Sequence, residues 1–132
     1  MLFLIAEDDL SSRLILQQML SPYGESHIAV NGKEAVELFK NSLEGNQPYD
    51  AIFLDIMMPI MDGNKALKEI RRIEKEKFGV GYKQVYIMMV TALNTPKEVI
   101  ESFYEGGCSS YVVKPIDRRK IIGKLREDKI VK

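Results

Sequence analysis

The chain has 132 residues, 45% hydrophobic and 29% charged, the proportions of one soluble globular domain that can bury a sizeable core. Lysine plus arginine and aspartate plus glutamate both number 19, so the formal net charge is +0 and no global attraction to nucleic acid or to an acidic membrane surface is expected. The lone cysteine, Cys108, excludes an internal disulfide framework and a cysteine-cluster metal site, and fits a reducing, cytoplasmic setting. No apolar stretch approaches the roughly 20 residues needed to cross a bilayer, and the apolar run at 1–6 is too short, and lacks the basic flank, for a signal peptide.

Strand-like and helix-like segments alternate along the chain. Leu2-Phe3-Leu4-Ile5-Ala6 is apolar throughout, the mark of a parallel strand buried on both faces, and it ends in Glu7-Asp8-Asp9. Leu16, Met19, Leu20 and Tyr23 recur at helical spacing and predict a helix over 10–22. A second strand is expected at 26–30. Asn31-Gly32-Lys33-Glu34 admits two readings, a helix capped by Asn31 with Glu34 three residues on, or an Asn-Gly hairpin turn. The helix is preferred because Val36, Phe39 and Leu43 continue with its period.

The third strand, 51–55, is Ala51-Ile52-Phe53-Leu54-Asp55. After Met58-Pro59 and the Asp62-Gly63 turn, Ala66, Leu67, Ile70 and Ile73 mark a third helix, followed by a loop at 78–83 with two glycines. A fourth strand is expected at 85–90. Thr95-Pro96-Lys97-Glu98 predicts a capped helix with Val99, Ile100 and Phe103 as its buried stripe, stopped by Gly106-Gly107. A fifth strand at 109–113 ends in Lys114-Pro115, and Asp117 caps a last helix carrying Ile121, Ile122 and Leu125.

Five strands alternating with five helices define an α/β fold, a doubly wound (βα)5 three-layer sandwich around a parallel sheet, occupying 1–132 as one domain. In such a sheet the carboxyl ends of the strands share one edge and form the ligand crevice. Asp8, Asp9 and Asp55 should therefore meet, and three carboxylates so close call for a divalent cation. Thr91 and Lys114 end neighbouring strands, so a hydroxyl and a fixed cation face the same edge. Together these groups could hold a tetrahedral anion beside a metal ion.

The ordered set Glu7-Asp8-Asp9, Asp55, Met58-Pro59-Ile60-Met61-Asp62-Gly63, Thr91-Ala92 and Lys114-Pro115 resembles the receiver domains of two-component response regulators, over essentially the whole chain. The resemblance implies a flavodoxin-like sheet in the order 2-1-3-4-5, an order general knowledge already attaches to this family's chemotaxis member. It implies that Asp55 accepts a phosphoryl group from a histidine kinase or a histidine phosphotransfer protein, with Mg2+ as cofactor. Asp9 and Asp55 would be direct metal ligands, Asp8 would act through water, and Met57 would lend its backbone carbonyl. Thr91 and Lys114 would contact the phosphoryl oxygens, and the Lys114-Pro115 bond would be cis. Tyr111 would turn inward when Thr91 moves, altering the 96–130 face for a downstream protein.

Such a protein is a switch that catalyses only its own phosphorylation and dephosphorylation, not an enzyme for external substrates. A phosphohydrolase on a similar sheet generally needs a second acid two residues after its nucleophile, where this chain has Met57. A flavodoxin-type cofactor module needs a Ser/Thr/Gly phosphate loop after the first strand, where Glu7-Asp8-Asp9 would repel a phosphate.

Overall fold

A computed structural model describes residues 1–132. Five parallel strands form one sheet: β1 (Leu2–Ala6), β2 (Glu25–Ala29), β3 (Ala51–Leu54), β4 (Tyr86–Thr91) and β5 (Ser110–Val113), in the spatial order β2-β1-β3-β4-β5. The helices between them are α1 (Leu10–Leu20), α2 (Gly32–Glu44), α3 (Gly63–Phe78), the short α4 (Pro96–Ile100) and α5 (Arg118–Glu127). No helix is long and apolar enough to cross a membrane.

Strand alternation divides the interior into two cores. Phe3, Ile5, Phe53, Met88 and Val90 point to one face and pack with Leu16 and Leu20 of α1 and Ile121 and Leu125 of α5. Leu4, Ile52, Leu54, Ile87 and Met89 point to the other and pack with Phe39 of α2 and Leu67 and Ile70 of α3. The period of two in the strands and the helical spacing in α1, α2, α3 and α5 thus meet in a three-layer sandwich.

Element limits differ from expectation by one or two residues, as helix and strand ends do. The helix signal at Asn31 holds: its side-chain oxygen accepts from the Glu34 amide at 2.8 Å, and Glu34 accepts from the Val30 amide at 3.0 Å. The signal at Thr95 is corrected. Thr95 occupies the N-cap position but makes no side-chain cap bond, and α4 runs only five residues before Glu101–Gly106 continues as a π-helical turn. The expected buried stripe is absent too, with Ile100 51% and Phe103 38% exposed.

Candidate functional site

Register places the functional groups. Ala6 pairs with Leu54 across β1 and β3, so Glu7 and Asp55, the next residues, stand level at the carboxyl edge. Thr91 pairs with Val113 across β4 and β5, which sets Lys114 one step past Thr91. A tight turn then carries the chain from Asp55 into α3. Asp62 caps that helix by accepting from the Lys65 amide at 2.8 Å. Gly63 is required there, because a Cβ would lie 2.0 Å from the Asp55 carbonyl oxygen.

Lys114 links the two sides of the crevice. Its Nζ donates to Asp55 Oδ2 at 3.0 Å and lies 2.6 Å from Glu7 Oε1. Glu7 and Asp55 are both buried, and the Lys114 side chain is mostly so. The other oxygens are held by backbone: Asp55 Oδ1 accepts from the Met57 amide at 3.3 Å, and Glu7 Oε2 from the Asp9 amide at 3.2 Å. Arg13 Nη1 donates to the Glu7 carbonyl at 3.2 Å and braces the turn from β1 into α1. The Lys114-Pro115 peptide is cis.

The electrostatics record an excess of negative charge. Burial pushes the Glu7 carboxyl up to about 7; Lys114 opposes that rise and the Asp55 carboxylate adds to it. Burial alone would lower the Lys114 ammonium, but its hydrogen bonds to Glu7 and Asp55 outweigh burial and raise it, so the ammonium stays charged. One cation therefore serves two buried carboxylates.

Glu7, Asp8 and Asp55 each offer a carboxylate oxygen, and the three lie within 4.8 Å of one another. Hard oxygen donors on this scale, with one ammonium against three acids, suit a divalent cation such as Mg2+. The group differs from the expected set at one place. Asp9 is not in the group: its side chain caps α1, accepting from the Ser12 amide at 2.9 Å, and that bond holds its carboxyl below the usual range. The physical reason is chain direction. Three residues past the strand the backbone has already turned into the helix, so Glu7 and Asp8 lie with Asp55 and Asp9 faces the helix amides. The equal ends of the two strands, Ala6 and Leu54, were the signal that could have found Glu7.

The remaining expected residues lie around this group. Thr91 is fully buried at the end of β4, and its Oγ1 accepts from the Leu93 amide at 3.4 Å. Tyr111 is half-buried on β5 and donates its hydroxyl to the Leu93 carbonyl at 2.7 Å. One loop residue therefore touches both Thr91 and Tyr111. Met57 is 61% exposed beside the crevice.

This chain belongs to the response regulator receiver domain family, whose sequence pattern it matches over residues 3–126. It is similar to the hybrid signal transduction histidine kinase I of Dictyostelium discoideum, 36% identical over 115 residues that make up 86% of this chain and 6% of that protein. The chain spans only 5 to 12% of the length of the histidine kinases it matches. In structure it resembles a chain of the CheX–CheY–BeF3–Mg2+ complex from Borrelia burgdorferi, with TM-score 0.80, 28% identity, and 99% of this chain and 90% of that one covered. It also resembles a chain of the co-crystal of the Saccharomyces cerevisiae histidine phosphotransfer protein Ypd1 with the Ssk1 receiver domain, with TM-score 0.82, 28% identity, and coverage of 96% and 87%. The fold and the receiver function follow from this membership.

Proposed function

We propose that Asp55 is the phosphoacceptor, that Asp8 and Asp55 hold Mg2+ with help from Glu7 and the Met57 carbonyl, and that the phosphoryl group comes from a histidine kinase or a histidine phosphotransfer protein. The observation that carries this reading is the Lys114 ammonium at 3.0 Å from the Asp55 carboxylate, at the edge where three carboxylates converge. The Borrelia complex with BeF3 and Mg2+ and the Ypd1 co-crystal support the cofactor and the donor class.

In the transfer step an Asp55 carboxylate oxygen bonds to phosphorus, the P–N bond to the donor imidazole breaks, and its electron pair goes to the ring nitrogen. Phosphoryl transfer depends on positioning and charge neutralisation more than on covalent help. When bound, the metal supplies part of that neutralisation. Lys114, already on Asp55, neutralises one further oxygen, and the Met57 amide orients the carboxylate through Oδ1. The Thr91 hydroxyl takes another phosphoryl oxygen, which changes its contact with the Leu93 amide. Since the Leu93 carbonyl holds Tyr111, that loop shift alters the Tyr111 position and with it the 96–130 face. The two charge-assisted hydrogen bonds, at about 1.5–3 kcal/mol each, come close to the about 5.5 kcal/mol needed for a shift from 1:99 to 99:1 without securing it. A downstream protein partner completes the change. Met57 in place of a second acid leaves no group to serve an external leaving group, so the protein acts as a switch.

The test is incubation with acetyl phosphate. The wild type gains one phosphoryl group by mass only when Mg2+ is present, and Asp55→Asn gains none. A wild type that stays unmodified with donor and metal, or an Asp55→Asn variant that is modified equally well, would overturn the reading.

A further inference from the structure

We propose that the buried hydrogen bond between Asn64 and Ser102 couples the loop carrying Asp55 to the π-helical turn Glu101–Gly106, and so to the exposed side chains of Phe103 and Tyr104. The inference rests on Asp55 as phosphoacceptor and names a positioning pair which that reading does not itself require.

The segment after β4 is weakly held. α4 buries no residue and has no side-chain cap, and within the π turn only Ser102 and Gly106 are buried. Both meet α3. The Ser102 hydroxyl donates to Asn64 Oδ1 at 2.8 Å, with Ser102 fully buried and Asn64 nearly so. Gly106 lies so close to Leu67 that a Cβ would fall 2.4 Å from Leu67 Cδ2. Lys68 reaches Glu101 at 3.9 Å and Glu105 at 3.8 Å. Asn64, Leu67 and Lys68 are spaced to share one face of α3, so one helix face holds the whole turn.

That face begins at the phosphoacceptor loop. Asn64 follows Gly63, whose amide donates to the Ile56 carbonyl at 2.8 Å and whose Cα is packed against the Asp55 carbonyl. No side chain separates Gly63 from the Asp55 carbonyl, so a displacement of that backbone is passed to Gly63 and to the adjoining Asn64. Ser102 has no water to turn to, being wholly buried, and must follow Asn64 or lose its partner.

The π turn is what makes such a displacement visible at the surface. A π turn carries one residue more than the α-helix accommodates, and such turns are frequent at functional sites. Moving that extra residue along the segment changes the register, and one residue of register rotates a side chain by about 100° around the helix axis. Phe103, 38% exposed, and Tyr104, 85% exposed, are re-aimed by that step. The Asn64–Ser102 bond selects between the two registers, a two-state element biased by the state of Asp55.

The chain has no tryptophan, so Tyr104→Trp installs a single reporter on the turn. The experiment follows its emission on addition of acetyl phosphate and Mg2+, with phosphoryl incorporation measured by mass in the same samples. Four proteins are compared: Y104W alone, with Ser102→Ala, with Asn64→Ala, and with both. The double variant removes both partners and leaves no orphan polar atom, so it keeps the fold even where an orphaned partner weakens a single variant. Labelling stays within about twofold across the set, while the emission change drops by at least about half in each alanine variant and no further in the double. A full emission change in the alanine variants, additive losses, or a parent that is labelled without any emission change overturns the coupling. A parent that is not labelled at all overturns the reading of Asp55 and the inference with it.

Discussion

Arg71 and Glu74 on α3 form a closed charge cluster, whereas Glu7, Asp55 and Lys114 at the crevice form an open one. The Arg71 Nη1 and Glu74 Oε1 atoms are 2.8 Å apart, one charge against one. Arg71 also donates to the Gly107 carbonyl at 2.9 Å and the Val85 carbonyl at 2.8 Å, and Glu74 Oε2 accepts from the Val85 amide at 2.7 Å. This pair ties α3 to the start of β4 and to the approach to β5, and its charges cancel. At the crevice two buried carboxylates share one ammonium, a third acid stands beside them, and the Glu7 carboxyl is pushed up to about 7 by burial. The lesson is that burial of charge alone does not mark a site. The mark is burial without balance, at an edge open to solvent, where the proposed divalent cation would supply the positive charge the protein leaves out.

Mutating the two clusters should therefore change stability in opposite directions. Glu74→Ala leaves the Arg71 guanidinium buried and unpaired, and urea denaturation should show a loss of about 3–5 kcal/mol, the range for a broken buried ion pair. Asp55→Asn removes a like charge from the metal-free crevice, and the same measurement should show no loss or a gain of up to about 1 kcal/mol. If Asp55→Asn destabilises the metal-free protein as strongly as Glu74→Ala, the contrast between a closed and an open cluster fails.

A smaller effect separates the clusters by pH. Cys108 lies under the closed cluster, where burial pushes its thiol up to about 11 and Arg71 only partly opposes the rise. The raised value means that the folded state favours the neutral thiol. Its contribution to stability is complete below the unfolded value of about 8.5 and is lost as pH rises toward 11. Alkylation at neutral pH should be at least about tenfold slower than for free cysteine, and Cys108→Ala should flatten the fall in stability between those two pH values. Rapid modification of the native protein would show the thiol to be neither buried nor raised.

Most of the fold was legible because two periodicities coincided with burial. Ile52 and Phe53 pack into opposite cores from adjacent positions, as near-continuous apolar runs require of a sheet covered on both faces. Asp55 and Lys114 were legible as crevice residues because a charged residue directly after such a run must lie at the strand end. Asp9 was expected among the metal ligands because the sequence shows three consecutive acids but not the residue at which the backbone turns; in the structure the third acid is the N-cap and Glu7 stands in the crevice. The π turn was hidden for another reason. Its register depends on Ser102 reaching Asn64 across 38 residues of chain, a contact without a local pattern. Ile100 and Phe103 keep helical spacing with Val99 yet face solvent, because the turn is held by its small residues and not by an apolar stripe.

The membership of the acid group is open to one direct measurement, a calorimetric Mg2+ titration of the wild type beside Asp8→Asn and Asp9→Asn. With Asp8 in the crevice and Asp9 on the helix amides, Asp8→Asn should weaken Mg2+ binding by at least about tenfold and Asp9→Asn by no more than about threefold. The reverse order, with Asp9→Asn the damaging change and Asp8→Asn silent, would contradict the site described by Glu7, Asp8 and Asp55.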